Sequence, residues 1–298
     1  MTNDLARPDP PLTPALSEFT GYLLRRAFVR SAQCARGCLP DPHQIRDVVV
    51  LSTLQQRGPV SQRELADLMH VNRSIMVKLV DALQERGQLI RNRDPGDRRS
   101  YALALTENGL ATLSELQQAL DQAEAVLTGR LTESEHQRLT ELLRQLLVGD
   151  EALAVESLAT RSGYLIAQAH RRLRARASDR LRPLGIEPRH FGVLATLGEE
   201  QPCTQQHLAA LLGVTPPAVL QSVDELEAIG LVQRARNAKD RRAYDLTLTE
   251  SGRHSLDAAC TEAAALQSEV VDLLGAAGDQ DLRELLAKVL VTGVEAAH

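Results

Sequence analysis

Tryptophan is absent from this sequence, and the remaining aromatics, four Tyr and three Phe, make up only 2% of it. Sandwiches and barrels fill their sheet faces with branched and aromatic side chains, so this scarcity argues against a mainly β architecture and for packed helices. No run of about eighteen apolar residues occurs, the length a bilayer-spanning helix needs, so no membrane segment is expected. The opening MTNDLARPDPPLTP lacks the apolar centre of a signal peptide and reads as a frayed, Pro-rich lead-in over residues 1–12. Four Cys without a disulfide-like framework suit a reducing cytoplasm, the expected location. The His residues are scattered, with no ligand-like spacing among them or the Cys, so no metal site is expected. Gly-rich phosphate loops and nucleophile elbows are missing too, and neither an enzyme nor a cofactor is expected. A net charge of −5 argues against a globally basic surface but leaves room for a local basic stripe.

What the sequence does have is leucine, alanine and a repeat. The stretch RNRDPGDRRSYALALTENG, from Arg91 to Gly109, is matched by RARNAKDRRAYDLTLTESG, from Arg234 to Gly252. A shift of roughly 143 positions aligns Gly58–Gly109 with Gln201–Gly252 without a gap, with about 21 identities in about 52 places. Upstream, GYLLRRAFVR from Gly21 resembles GYLIAQAHRR from Gly163 after a one-residue shift. Two copies of roughly 140 residues are too few and too long for a solenoid. A fused pair of domains fits instead, over 13–149 and 150–298, each large enough to bury a core.

Both copies read alike. A long first helix (Thr13–Arg36, Leu153–Leu181) precedes a second, in HQIRDVVVLSTLQQRG and in PRHFGVLATLGE. Short helices over Gln62–Met69 and Gln205–Leu212 follow, N-capped by Ser61 and Thr204, with Glu64 completing a capping box in the first copy. Tight turns at Val71–Asn72 and Val214–Thr215 lead into helices ending at Gly87 and Gly230. Paired β runs around the loops DPGD and NAKD predict hairpins, and Thr106 and Thr249 then cap long helices. A final helix completes each copy, with Gly149 ending one helix and Asp150 beginning the next. Helix, tight turn, helix and charged hairpin make a winged helix-turn-helix, whose second helix enters a major groove. The predicted class is mainly α with small β-hairpins, in two tandem winged domains.

DRRSYALALTENG and DRRAYDLTLTESG resemble the wing signature of the multiple antibiotic resistance regulator (MarR) family: Asp, a basic residue, Arg, five residues, then Leu-Thr and a Gly. Arg180–Leu197, RLRPLGIEPRHFGVLATL, is similar to that family's passage from first to second helix. The resemblance covers nearly all of both copies. It implies a transcriptional repressor whose terminal helices intertwine and whose two winged domains grip one imperfect palindrome of double-stranded DNA. Both halves lie here on one chain, an intramolecular pseudo-dimer with a helical base. The resemblance further implies a small aromatic or phenolic effector. It gives Asp97 and Asp240 the task of holding each wing by pairing with a nearby Arg, while Arg98 and Arg241 reach the DNA.

DNA binding requires cations against phosphates and a few side chains on base edges. The first wing concentrates Arg91, Arg93, Arg98 and Arg99; the second has Arg234, Arg236, Lys239, Arg241 and Arg242. A solvated charged hairpin is the plainer reading of either wing alone, but the preceding helix and the duplicate favour DNA. Helix NRSIMVKLVDALQERG is expected to bury Met76, Leu79, Val80 and Leu83 and to expose Arg73, Ser74, Val77 and Lys78. Arg73 or Lys78 suits guanine O6 and N7, or a phosphate. Its counterpart TPPAVLQSVDELEAIG has Thr215 as N-cap and Pro216 at the first position, and exposes Pro217, Leu220 and Gln221 without a cation. Gln221 suits adenine and Leu220 a thymine methyl. The expected DNA-contacting set is Arg73, Ser74, Lys78, Asp97, Arg98, Arg99, Thr215, Gln221, Asp240, Arg241 and Arg242, on two unequal half-sites. Alternatively only the first copy reads DNA, and the second is a scaffold, an effector sensor or a protein-interaction module.

Three further features stay open at this stage. Cys34 and Cys38 flank Arg36 and are candidates for a redox pair, against the plainer reading as small buried residues; Cys203 and Cys260 read as structural. Tyr22 and Tyr164 occupy matching places and are candidates for the effector pocket, against the commoner task of closing a core. The run RRLRARASDRLR, Arg171–Arg182, is either a phosphate contact or a helix face carrying interhelical pairs.

Overall fold

The computed structural model describes residues 14–93, 101–150, 155–237 and 244–291; the 1–12 lead-in falls outside them. The chain forms two compact units. Unit one spans Phe28–Gln168, and unit two joins the described parts of Ala6–Ala27 and Ala169–His298. These are different sets of residues from the two sequence copies, because the first helix of each copy changes unit part-way along. Among the described residues, no helix is long and apolar enough to cross a membrane.

Unit one takes the later part of α2 (Thr20–Cys38), then α3 (Ile45–Arg57), β1 (Val60–Ser61), α4 (Gln62–Leu68) and α5 (Arg73–Glu85). β2 (Leu89–Arg93), β3 (Tyr101–Leu105), α6 (Glu107–Thr128), α7 (Glu133–Leu146) and the start of α8 (Ser162–Leu181) complete it. Its antiparallel sheet has the order β1-β3-β2, with Val60 and Arg91 both facing Leu103. β1 is absent from the sequence reading, since a two-residue strand has no period and exists only through its pairing with β3. Val48, Leu51, Leu65, Met76, Val80, Leu83, Leu103, Leu113 and Leu116 form the core beneath.

Unit two repeats this plan with α1 (Pro14–Ser17), the first part of α2, the rest of α8, a 3-10 turn over Arg182–Leu184 and α9 (Pro188–Glu199). β4 (Cys203–Thr204), α10 (Gln205–Leu212), α11 (Pro216–Ala228), β5 (Val232–Arg236), β6 (Tyr244–Leu248) and α12 (Glu250–Leu290) follow, and the sheet order is β4-β6-β5. Gly275, at φ 74°, interrupts α12 where unit one has a loop between α6 and α7.

The wing signature has a local physical cause, seen in both units. Thr106 caps α6: its Oγ1 accepts the Gly109 N–H at 3.0 Å and donates to the Gly87 carbonyl at 2.6 Å. Thr249 does the same for Gly252 at 2.9 Å and Gly230 at 2.7 Å. The helix start is thereby drawn so close to the turn before the strand that a Cβ on Gly109 would overlap the Gln88 carbonyl. On Gly252 it would overlap the Leu231 carbonyl. Leu-Thr-x-x-Gly is thus a joint between the wing and the long helix.

Several expected boundaries differ. The helix expected over Thr13–Arg36 is two helices, because the chain restarts at Thr20, whose N–H donates to Gln267 Oε1 at 3.0 Å. The helix expected over Leu153–Leu181 begins at Ser162, and residues 151–154, just after Asp150, lie outside the described residues. Glu124 fixes that start, its carboxylate accepting the N–H groups of Ser162 at 2.6 Å and Gly163 at 3.1 Å. Both caps come from far along the chain, where local patterns are blind to them. Ser61 does cap α4, accepting the Glu64 N–H at 3.1 Å, but the Glu64 carboxylate turns to Arg57 at 3.8 Å rather than closing a box.

Candidate nucleic-acid interface

α5 is built to present one face. Asn72 starts it, accepting the Ile75 N–H at 2.8 Å, and Met76, Val80 and Leu83 at helical spacing sink into the core. Leu79 is only partly buried. Arg73, Ser74, Val77 and Lys78 are left exposed, as their spacing predicts. Two cations and a hydroxyl near a helix N-terminus give this face a positive potential, which suits phosphates and the acceptor atoms of guanine.

α11 is the same helix with different chemistry. Val219, Val223 and Leu226 are buried, while Pro217, Leu220 and Gln221 are exposed. Thr215 sits at the N-cap without a side-chain cap bond; Pro216 and Pro217 have no N–H to offer it, and the Ala218 N–H reaches the Thr215 carbonyl at 3.0 Å. Gln221 does not point freely outward: its amide donates to Glu225 Oε1 at 3.0 Å. Glu225 Oε2 in turn meets His190 Nε2 at 2.7 Å and Arg189 Nη2 at 2.9 Å. The His190 contact, with that of Gln221 next, draws the Glu225 carboxyl below its ordinary pKa.

Unit one ties its second helix to its reading helix with the charges exchanged. Asp47 on α3 pairs with Arg86, just past α5, at 3.2 Å. In unit two the base is on α9 and the acid on α11.

Two wing arginines belong to the scaffold. Arg91 on β2 pairs with Asp81 on α5 at 2.5 Å and also donates to Gln84. Arg234 on β5 pairs with Asp224 at 2.5 Å and also with Glu227. Each therefore fastens a wing root to its reading helix. Arg93 and Arg236 do stay exposed, directly across the ladder from Tyr101 and Tyr244, themselves exposed by 54% and 47%. These two tyrosines were not singled out in the sequence, although an aromatic opposite an arginine at a hairpin root is a recognisable signal. Asp97, Arg98, Arg99, Lys239, Asp240, Arg241 and Arg242 lie outside the described residues.

The remaining candidates divide. Tyr164 is a core residue of unit one, its hydroxyl pushed up to about 12 by burial and then by the charge of Asp150, against a bond with Gln168. Tyr22, its sequence match, sits in unit two beside two guanidinium groups, those of Arg25 and Arg26, each 5.9 Å from its ring centre. Cys34 is buried and Cys38 half-buried, and neither is in a disulfide. Cys203 is buried, its thiol pushed up to about 11 by burial, aided by Glu200 and Asp245. Cys260, read as structural, is exposed on α12. The arginine run of α8 makes interhelical pairs: Arg176 with Glu269 at 2.9 Å and Arg180 with Glu262 at 3.0 Å, while Arg182 pairs locally with Asp179.

A reading helix set after a tight turn, backed by a three-stranded wing sheet and repeated along one chain, defines a tandem winged helix-turn-helix DNA-binding regulator. Models of the MarR family match at residues 45–101 and again at 184–243. The HTH-type transcriptional repressor NicR of Pseudomonas putida is 32% identical over 138 residues, covering 46% of this chain and 87% of that protein. Among solved structures, the transcriptional repressor CouR bound to a 23-mer DNA duplex is 30% identical, with a TM-score of 0.41 over 43% of this chain and 90% of that one. A mutant MarR from E. coli complexed with operator DNA is 28% identical, with a TM-score of 0.41 over 43% and 92%. The chain belongs to the MarR family of DNA-binding transcriptional regulators.

Proposed function

We propose that this protein is a repressor whose copies, 13–149 and 150–298, act as an intramolecular pseudo-dimer on one pseudo-palindromic operator, with a small-molecule effector modulating its release. The duplicated wing-and-reader unit carries this reading: both copies keep the fastened wing, the Thr-Gly joint and the buried spine of the reading helix. Arg73, Ser74 and Lys78 read or grip the first half-site, and Thr215 and Gln221 face the second. Arg98, Arg99, Arg241 and Arg242 bring each wing to the backbone or minor groove, with Asp97 and Asp240 holding them. Arg93 with Tyr101, and Arg236 with Tyr244, extend that strip. NicR, named as a repressor, supports the sign of regulation.

A second reading is favoured by Gln221, whose amide is already held by Glu225 on a helix without Lys or Arg. On that reading the second copy contributes its wing but little base recognition. Salt-dependent operator titrations of Arg98→Ala and Arg241→Ala test both. Each loss is expected to lower the slope of log K against log salt by about 1. An unchanged slope for Arg241→Ala removes the second copy from the grip; an unchanged slope for both removes the proposal.

A further inference from the structure

The exposed face of α11 is poor in hydrogen-bond donors. Pro216 and Pro217 have no N–H, and the N–H groups of Ala218 and Val219 both reach the Thr215 carbonyl, at 3.0 and 3.2 Å. The helix has no Lys or Arg, and the amide of Gln221 donates to Glu225. Its acids are paired as well, Asp224 and Glu227 with Arg234, and Glu225 with Arg189 and His190. What projects is apolar: Pro216, Pro217, Ala218 and Leu220 are all exposed, Leu220 by 45%. The Thr215 hydroxyl stands at the start of this face and suits a phosphate.

α5 supplies the contrast within the same chain. Arg73 stands where Pro216 does, Ser74 matches Pro217 and Lys78 matches Gln221, so donors surround the exposed Val77, which matches Leu220. Both helices keep the buried spine and the fastened wing, so the fold does not require the exchange. A donor-poor surface pressed on a base edge strips water from its polar atoms without replacing those hydrogen bonds, which is costly. The C5-methyl group of thymine is the apolar feature of a base pair in the major groove, and covering it is favourable. We infer that α11 reads its half-site through the C5-methyl groups of pyrimidines, with Pro217 and Leu220 as the contacting surface. 5-Methylcytosine is then accepted in place of thymine, and methylation of cytosine at those positions strengthens binding. The inference rests on the proposed placement of the second copy on DNA, but grip and methyl reading use different residues and can fail separately.

Fluorescence anisotropy of the full chain on the duplex that it selects from a random pool tests the inference. Each half-site is altered in turn: deoxyuridine for thymidine, which removes only the methyl group; a T·A pair changed to C·G; and the same pair carrying 5-methylcytosine. In one half-site each methyl group removed is expected to weaken binding about threefold to fourfold, the loss of one covered CH₂-sized group. There 5-methylcytosine should recover most of the affinity that cytosine loses. Leu220→Ala, at an exposed position, is expected to abolish both effects in that half-site with thermal unfolding unchanged, whereas the matching Val77→Ala leaves them in place. Uracil without cost in either half-site, or a cost undiminished by Leu220→Ala in both, would overturn methyl reading. If Arg241→Ala still lowers the salt slope, the placement of the second copy on DNA survives that result; if the slope is unchanged too, both fall.

Discussion

Arg91 on the first wing strand is fastened to Asp81 on the reading helix by an ion pair of 2.5 Å. The pair returns between Arg234 and Asp224 at the same distance, so wing and reader are held as one piece in each unit. The second copy of the pair is more acidic, with Glu227 in place of Gln84.

A double-mutant cycle of Asp81→Ala and Arg91→Ala is expected to give a coupling of about 0.5–1 kcal/mol in denaturant unfolding. The side chains keep 48% and 26% of their exposure, and solvent screening limits what such a pair contributes. Operator affinity should fall in Arg91→Ala while the salt slope stays the same, because the residue positions the wing without touching phosphate. A slope lowered by about 1 would add Arg91 to the DNA-contacting residues.

The Thr-Gly joint leads to a larger effect. Gly109→Ala and Gly252→Ala force a methyl group into a backbone carbonyl that cannot swing aside, and each is expected to destabilise its unit by about 1–3 kcal/mol. Thr106→Ala and Thr249→Ala remove a cap and should cost about 1 kcal/mol. Chemical denaturation followed by circular dichroism measures all four. A neutral Gly109→Ala would show that the helix start is free to retreat from the strand.

These features mark how far the sequence could be read. The reading helices, the hairpins and the caps Ser61, Thr106, Thr204 and Thr249 rest on neighbours within a few residues, and the chain announced them. The exposed set Arg73, Ser74, Val77 and Lys78 followed from helical spacing alone. What stayed hidden depends on partners far along the chain. Glu124 sets where α8 begins, Gln267 holds the start of α2, and Asp81 and Asp224 pair with Arg91 and Arg234. A basic residue in a wing carries no mark that says which way it faces. The divergence of Tyr22 from Tyr164 was equally silent, since it arises from what surrounds each ring.

His170 makes the stability of unit two depend on pH. Its folded pKa, about 4, lies below the ordinary 6.5, so folding disfavours its protonation. The stabilisation is fully present above pH 6.5 and is lost as the pH falls from there through about 4, by at most about 3 kcal/mol. His170→Phe, which copies Phe28 of unit one, is expected to flatten that limb of a plot of unfolding free energy against pH. An unchanged limb would assign it to other titrating groups, carboxylates among them.

Glu225 places a carboxylate on the second reading helix and occupies the amide of Gln221. A negative charge beside a phosphate backbone opposes binding, and an occupied amide reads no adenine. Arg73→Ala is therefore expected to cost about 1–3 kcal/mol at its base pair, whereas Gln221→Ala should cost well under about 1 kcal/mol. Glu225→Ala should tighten operator binding and steepen the salt slope, because it removes repulsion and frees Gln221 together. The loss of the Glu225 contact with His190 is a separate matter of stability, read by thermal unfolding of the same variant. Fluorescence anisotropy on operators altered one base pair at a time distinguishes the effects. Unchanged affinity in Glu225→Ala would mean that α11 does not face DNA, leaving the wing as the second copy's whole contribution.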